Sequence, residues 1–364
     1  MFKSKKIHPF NLRSGDWDRI KQVLNELFLE RSVDLFLRLD CQPFPMKHID
    51  MLTSLLVTEC IKNNDLISML PDSLKTLELS SECKWNRPIK IGSLPSHLET
   101  LVFNPHFDQV IQVGTFPASL TSLTLGQSFN QSLNGVLPTS ITSLDMSRIV
   151  SAYDYSLNNL PASLTTIHLP MFYNNDINHP PLERLYVDYF VPSLNPMPAL
   201  TELTISSLDP SINFALFPRL TRLVIVRAND SICTSLLPWS TLKSASLCCV
   251  LVTWIDRQVI IKDLIPMGVE SLKLGRCNFI DVPPGSLPSS LTHLTLTRAD
   301  NIKPGDIPAS VTSLELWSFY QRLDILITCL PPSIRALGFH KKVIIDGCGF
   351  MDLSSLNKFF IPSV

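Results

Sequence analysis

The chain has 364 residues, 45% of them hydrophobic and only 17% charged, a balance that fits a folded core and excludes an intrinsically disordered chain. Its formal net charge is −1, so no overall field draws it to nucleic acid or to an anionic membrane surface. Prolines number 28 against 12 glycines, and prolines at that density exclude a helical bundle because each would break a helix interior.

The chain opens with MFKSKKIHPFNLRSGDW, a polar stretch whose small basic cluster (Lys3, Lys5, Lys6) reads as a solvated terminus and lacks the apolar run of a secretory leader. Nowhere does the sequence approach the ~20 consecutive apolar residues that a membrane helix needs. Residues 14–31, SGDWDRIKQVLNELFLER, set Trp17, Ile20, Leu24, Leu27 and Phe28 at helical spacing, with Ser14 or Asp16 as the cap. SVDLFLRLDC then alternates Val33, Leu35, Leu37 and Leu39, as a half-buried strand does. Helix and strand together predict a short N-terminal cap over residues 1–45, of the kind a repeat array uses to cover its first core face.

From Leu52 onward a short phrase recurs. Where it is clearest, a proline and a serine precede a leucine, and Leu-x-x-Leu-x-Leu follows. Taking the first of these leucines as an anchor, the anchors fall at Leu52, Leu74, Leu98, Leu120, Ile141, Leu164, Leu182, Leu200, Leu220, Leu242, Val269, Leu291, Val311 and Ile334, with a trace at Leu356. The mean spacing of about 22 residues lies within the leucine-rich-repeat range. Three residues after each anchor an apolar residue returns, only Ala245 being small, and two further on another follows. That period-two ending makes a short strand with one buried face. One copy buries too little by itself, so the copies are expected to stack, strand beside parallel strand, about 4.8 Å apart. The prediction is a solenoid of about 14 copies over residues 46–340, with a parallel β-sheet on the concave face and irregular turns on the convex side. Proline cannot donate to a ladder and belongs at the corner before the strand. Gly92, Gly114, Gly135, Gly285 and Gly305 sit upstream of it as permissive turn residues.

The copy FNQSLNGVLPTSITSLDM (129–146), with WNRPIKIGSLPSHLETLVF and FDQVIQVGTFPASLTSLTL before it, resembles the FNIP repeats. These are leucine-rich-repeat-like units of about 22 residues. The likeness covers residues 66–178 and 264–340 and fades over 178–262. An array of this kind is expected to be a non-enzymatic protein–protein interaction module that binds a partner on its concave face, and to be a monomer. Two readings of the Asn or Asp after the motif aromatic (Asn86, Asp108, Asn130, Asn174) stand side by side: a ladder between copies, or an Asx-turn within one copy. The aromatics themselves (Trp85, Phe107, Phe129, Tyr173) read as core. In this family an F-box-like segment sometimes precedes the repeats, which would make the chain a substrate-recruiting adaptor bound to a Skp1-like protein; residues 14–31 supply only one helix toward such a segment.

Between Leu242 and Val269 the spacing stretches to 27 residues and admits VLVTWIDRQVIIKDLIPMG, either a binding loop or a tolerated insertion over 249–266. Residues 341–364 read as a degenerate last copy acting as the C-terminal cap. The nine cysteines form no CxxC pair and read as reduced, mostly buried thiols of a cytoplasmic protein, with a nuclear one also compatible. The sequons at Asn130 and Asn229 read as chance. There is no phosphate-binding glycine loop, no HExxH and no GxSxG, and the eight histidines lack ligand spacing. No cofactor, metal or catalytic residue is therefore expected, and an enzyme is the weakest reading. Nucleic acid and membrane are not expected partners either. What varies from copy to copy is the outward strand surface, where large groups replace Ser and Thr. His168, Arg184, Tyr186, Glu202, Arg222, Lys273, His293, Glu315 and Trp317 are the candidate partner-binding residues on that face.

Overall fold

The structure is a computed structural model that describes residues 10–11, 35–38, 52–57, 66–187, 194–205, 212–225, 244–248, 268–275, 285, 287–296, 302–316, 328–339, 343–344, 350–351 and 359–360. The expected helix over 14–31, the 249–266 insertion and most of the C-terminal cap lie outside these residues. The chain divides into two compact units, Met1–Met197 and Pro198–Val364. The boundary falls within 178–262, where the repeat phrase fades.

In the first unit the strands run β1 (Phe10–Asn11), β2 (Leu35–Arg38), β3 (Ser54–Val57), β4 (Thr76–Leu79), β5 (Thr100–Val102), β6 (Ser122–Thr124), β7 (Ser143–Asp145), β8 (Thr166–His168) and β9 (Arg184–Val187). Each pairs in parallel with the next. The second unit holds β10 (Glu202–Ile205), β11 (Arg222–Ile225), β12 (Ser244–Cys248), β13 (Ser271–Gly275), β14 (His293–Leu296), β15 (Ser313–Leu316) and β16 (Ala336–Phe339). These too pair in parallel, one after another. Three short strands follow: β17 (Val343–Ile344) and β18 (Phe350–Met351) form an antiparallel pair, and β19 (Phe359–Phe360) lies antiparallel to β16. Helix among the described residues is confined to single turns such as Leu66–Met69 and Phe214–Leu216. This is the predicted parallel β-solenoid.

The pairing register aligns equivalent residues of successive copies: Leu55, Leu77, Leu101, Leu123, Leu144, Ile167 and Leu185 form one column. They and the anchors from Leu52 to Leu182 are buried, as the period-two pattern predicts. Under the turns, a second column is aromatic. Trp85 stacks on Phe107 at 5.5 Å, and Phe107 stacks on Phe129 at 6.2 Å. Tyr153 and Tyr173 extend the series, 6.4 Å apart. Burial raises the pKa of both phenols, so they stay protonated: the Tyr153 hydroxyl donates to Gln131 O, and the Tyr173 oxygen accepts from Leu157 N–H.

The backbone explains the rest of the phrase. In eight copies among the described residues the proline carbonyl accepts the N–H of the anchor three residues on, as at Pro95–Leu98, Pro117–Leu120 and Pro138–Ile141. The proline therefore sits at the corner, as predicted. All five motif glycines have positive φ, between 67° and 91°, and at Gly305, which follows Pro304, that combination defines a type II turn. The serine of Pro-x-Ser has its own task, which spacing alone did not reveal. Its hydroxyl donates to the carbonyl of the preceding copy's anchor, at Ser73–Leu52 (2.9 Å), Ser119–Leu98 (2.8 Å), Ser140–Leu120 (2.6 Å), Ser290–Val269 (2.9 Å) and Ser333–Val311 (2.7 Å). Just past the anchor, one carbonyl accepts two N–H groups of the next copy. Thr121 O receives Thr142 N and Ser143 N, and the Thr142 hydroxyl adds a third bond at 3.1 Å. Such columns leave few polar groups between copies unpaired.

One copy solves the serine's task differently. Before anchor Leu182 the serine position is Pro181, and His179 takes the corner-proline position. The buried His179 Nε2 donates to Leu164 O at 2.7 Å, the bond a serine makes elsewhere. A carbonyl only accepts, so Nε2 carries the proton. Desolvation lowers the pKa of His179, against an opposing push from the Leu164 bond.

The buried Asn104 holds another seam. Its Nδ2 donates to Trp85 O (2.8 Å) and points at Cys83 Sγ (3.6 Å), while its Oδ1 accepts His106 N–H (2.9 Å). Its backbone oxygen lies 1.8 Å from where a Cβ on Gly126 would stand. Cys83 is itself disulfide-bonded, which corrects the expectation of a reduced thiol at this position. A buried sulfur packs alike in either redox state, so spacing alone did not distinguish them.

Two measurements test these points. Gly126→Ala sets a methyl against backbone that has nowhere to move, and is expected to cost at least about 1–3 kcal/mol in urea unfolding; an unchanged midpoint would disprove the close approach. For His179, the unfolded chain binds the proton more readily than the folded one. Stability present above the ordinary value of 6.5 is then lost as pH falls toward the folded pKa. His179→Gln keeps a donor and does not titrate there, so its unfolding midpoint is expected to depend less on pH over that window than that of the parent chain.

Candidate functional site

Strand side chains alternate between the core and the outer face, so each copy contributes two outward positions. In the first unit the register lines them up in two rows. One reads Ser54, Thr76, Thr100, Ser122, Ser143, Thr166 and Arg184; the other reads Leu56, Glu78, Val102, Thr124, Asp145, His168 and Tyr186. The first row is entirely Ser and Thr until it reaches β9. Beyond Glu78 on β4, the charged and aromatic groups of these rows lie on β7–β9.

There the structure brings together three of the candidate residues, His168, Arg184 and Tyr186, and adds Asp145. The His168 ring lies 5.3 Å from that of Tyr186, tilted by 30°. On its other side His168 Nδ1 is 3.9 Å from Asp145 Oδ1, an ionic contact when the imidazole is protonated. Asp145 is held in turn by Ser147 N–H at 2.9 Å. Arg184 shares β9 with Tyr186 and points to the same face two residues away. The result is a fixed polar and aromatic cluster on three adjacent strands. An isolated outward Asp looks like ordinary surface in the sequence; its register with His168 is what sets Asp145 apart.

In the second unit Glu202 and Arg222 are register partners on β10 and β11 and form an ion pair. Lys273 and Glu315 lie in one row, with Thr295 between them on β14. His293 occupies the other row, between Ser271 and Ser313, with Nδ1 2.9 Å from Thr292 Oγ1. The expected residue Trp317 lies outside the described residues. No group of three or more His, Cys, Asp or Glu able to hold a metal ion occurs among the described residues, and no described helix is long and apolar enough to cross a membrane.

Elsewhere the Asn/Asp position forms a true ladder between copies. Asn86 Oδ1 accepts Asp108 N–H (3.0 Å) and Gln109 Nε2 (2.9 Å), and Asp108 Oδ1 accepts Asn130 N–H and Gln131 Nε2, both at 2.9 Å. Asn130 Oδ1 then accepts Asp154 N–H at 3.2 Å. The next rung is Asp154, after Tyr153, in the copy between those of Asn130 and Asn174. A Tyr-Asp pair 24 residues after Phe129 conceals the motif. These residues hold the copies together and leave the sheet face as the surface that varies.

The FNIP Repeat family matches residues 63–106, 85–127, 107–148, 258–298 and 300–342. No curated protein matches the chain. Among solved structures, CroV588, described as a novel circular LRR protein, is 22% identical with a TM-score of 0.55, over 84% of this chain and 52% of that one. This chain therefore spans about half the length of that protein. An internalin from Listeria monocytogenes is 15% identical with a TM-score of 0.38, over 87% of this chain and 80% of that one.

The outward cluster is expected to be dispensable for folding. His168→Ala and Tyr186→Ala should each move stability by no more than about 0.5 kcal/mol. Leu185→Ala, on the inner face of the same strand, should cost about 2–5 kcal/mol. Urea unfolding of the three variants distinguishes a free surface from a structural one. Residues 63–148, 258–298 and 300–342 thus match the FNIP repeat, and the fold that carries them is similar to that of leucine-rich-repeat proteins.

Proposed function

We propose that this chain is a non-catalytic scaffold that binds a partner protein across the sheet face, with Asp145, His168, Arg184 and Tyr186 as its anchoring cluster. The observation that carries this reading is the change along the first unit's sheet. Strands β4–β6 present mainly Ser and Thr, whereas β7–β9 present an imidazole, a phenol, a guanidinium and a carboxylate within three strands. None of these side chains is needed for the core column or the copy-to-copy ladders. Tyr and Arg supply large contact area and directional bonds, and they are enriched where interfaces gain most of their energy. Leucine-rich-repeat solenoids are typically interaction modules, which supports this reading. In the second unit, Glu202, Arg222, Lys273, His293 and Glu315 offer a more sparsely charged face. The adaptor alternative depends on residues 1–45, most of which lie outside the described residues.

Affinity purification of the full chain, beside an Arg184→Glu/Tyr186→Ala double variant, tests the assignment. The variant is expected to stay folded and to lose at least one partner that the parent chain recovers. If every partner is retained, the cluster is not the binding surface. If residues 1–45 alone are required and a Skp1-like adaptor is recovered, the adaptor reading replaces it.

A further inference from the structure

The turn preceding each proline corner places one residue at its tip, just before the positive-φ glycine. In three consecutive copies the tips are Ile91, Val113 and Asn134. Each turn is closed by the same backbone bond, Ser93 N to Lys90 O, Thr115 N to Gln112 O and Val136 N to Leu133 O, at 3.1 to 3.2 Å. At the third tip the residue is an asparagine followed by glycine.

We propose that Asn134-Gly135 is a site of spontaneous covalent modification, in which Asn134 is converted through a cyclic imide to isoaspartate and aspartate. Four observations bear on it. Asn134 and Gly135 are both exposed, so water and base reach them. Neither the Asn134 side-chain amide nor the Gly135 N–H makes a hydrogen bond among the described residues, so the reacting groups are not tied down. Gly135 has no side chain to shield its nitrogen, and nothing lies within 4 Å of where a Cβ would stand. Its φ of 67° is a conformation glycine adopts without strain, in a turn held at both ends by the buried Leu133 and Val136.

The chemistry balances without any further reagent. Solvent base removes the Gly135 amide proton, and the nitrogen attacks Cγ of Asn134. A C–N bond forms, the tetrahedral intermediate expels ammonia, and a five-membered imide remains. Water then opens either carbonyl. One opening gives aspartate. The other gives isoaspartate, whose main chain runs through Cβ and Cγ and is one carbon longer. No electrons change hands.

The neighbouring asparagines are different. Asn130 is committed to the ladder, with Nδ2 donating to Asp154 Oδ2 at 2.7 Å and Oδ1 accepting Asp154 N–H. Asn86 accepts two bonds from the next copy. Asn158 is followed by Asn159, not glycine, and its Oδ1 accepts Asn178 N–H. The lengthened backbone would enter the copy that delivers Ile141 to the core and Asp145 to the sheet face.

The full-length folded chain is aged at mildly alkaline pH, digested, and analysed by mass spectrometry and by isoaspartyl methyltransferase labelling. Asn134 is expected to convert several-fold faster than Asn86, Asn130 and Asn158 in the same sample, with isoaspartate as the main product. Asn134→Gln should remove the methyl-accepting peptide. Conversion no faster than at Asn158 overturns the proposal. So does conversion that occurs in urea but not in the folded chain, because the turn would then be protecting the site.

Discussion

Everything in this molecule depends on one constraint: a copy cannot satisfy its own backbone and must pass its bonds to the next. A lone strand of three or four residues exposes a row of unpaired donors and acceptors. The next copy pairs them, and among the described residues the carbonyl just past ten of the anchors accepts two of its N–H groups. Since that pairing fixes the height of every residue, anchors meet anchors and aromatics meet aromatics. The hydrophobic columns result from the register as much as they stabilise it.

The same constraint explains why so much of the motif is small and polar. Serine at the corner, threonine before the strand and asparagine after the aromatic each reach one copy along the stack and pair a group that burial would otherwise strand. The hydroxyls of the corner serines Ser163 and Ser310 are buried without making this bond, while one copy that lacks the serine makes it another way. At anchor Leu182 the serine is missing and an imidazole reaches the same carbonyl. What is maintained at that rung is the hydrogen bond, more strictly than the residue that makes it. Because the ladders and columns use nearly all the internal positions, the two outward rows are left with little structural duty.

The array was legible in the sequence because its signal is periodic and redundant. Leu77, Leu101, Leu123 and Leu144 each restate the same pattern, so errors at one copy do not matter. Gly92 and its equivalents were legible for a similar reason, since a turn with positive φ selects glycine. Less was visible where meaning depends on a single contact. The role of Ser140 needs the position of Leu120 O, and Asp145 gains significance only from His168 on the next strand. Tyr153 and Asp154 were hidden by substitution and irregular spacing together. The disulfide at Cys83 had no signature in spacing at all. Of the candidate residues, those on β8 and β9 came together as one cluster, whereas those on β10–β15 form separate small sets.

The meeting of Asn104 and Gly126 bears on how such an array can change. At the position just after the strand, successive copies carry Ser80, Asn104, Gly126, Ser147 and Pro170. Only glycine leaves room for the backbone oxygen of Asn104, so the copy with asparagine and the copy with glycine form an ordered couple. Copies that look interchangeable in outline are therefore not free to be shuffled. A recombination that duplicated the asparagine copy, or placed the serine copy directly behind it, would set a side chain against an immovable carbonyl. The order of these two copies is itself specified, as in a sentence where two words cannot change places.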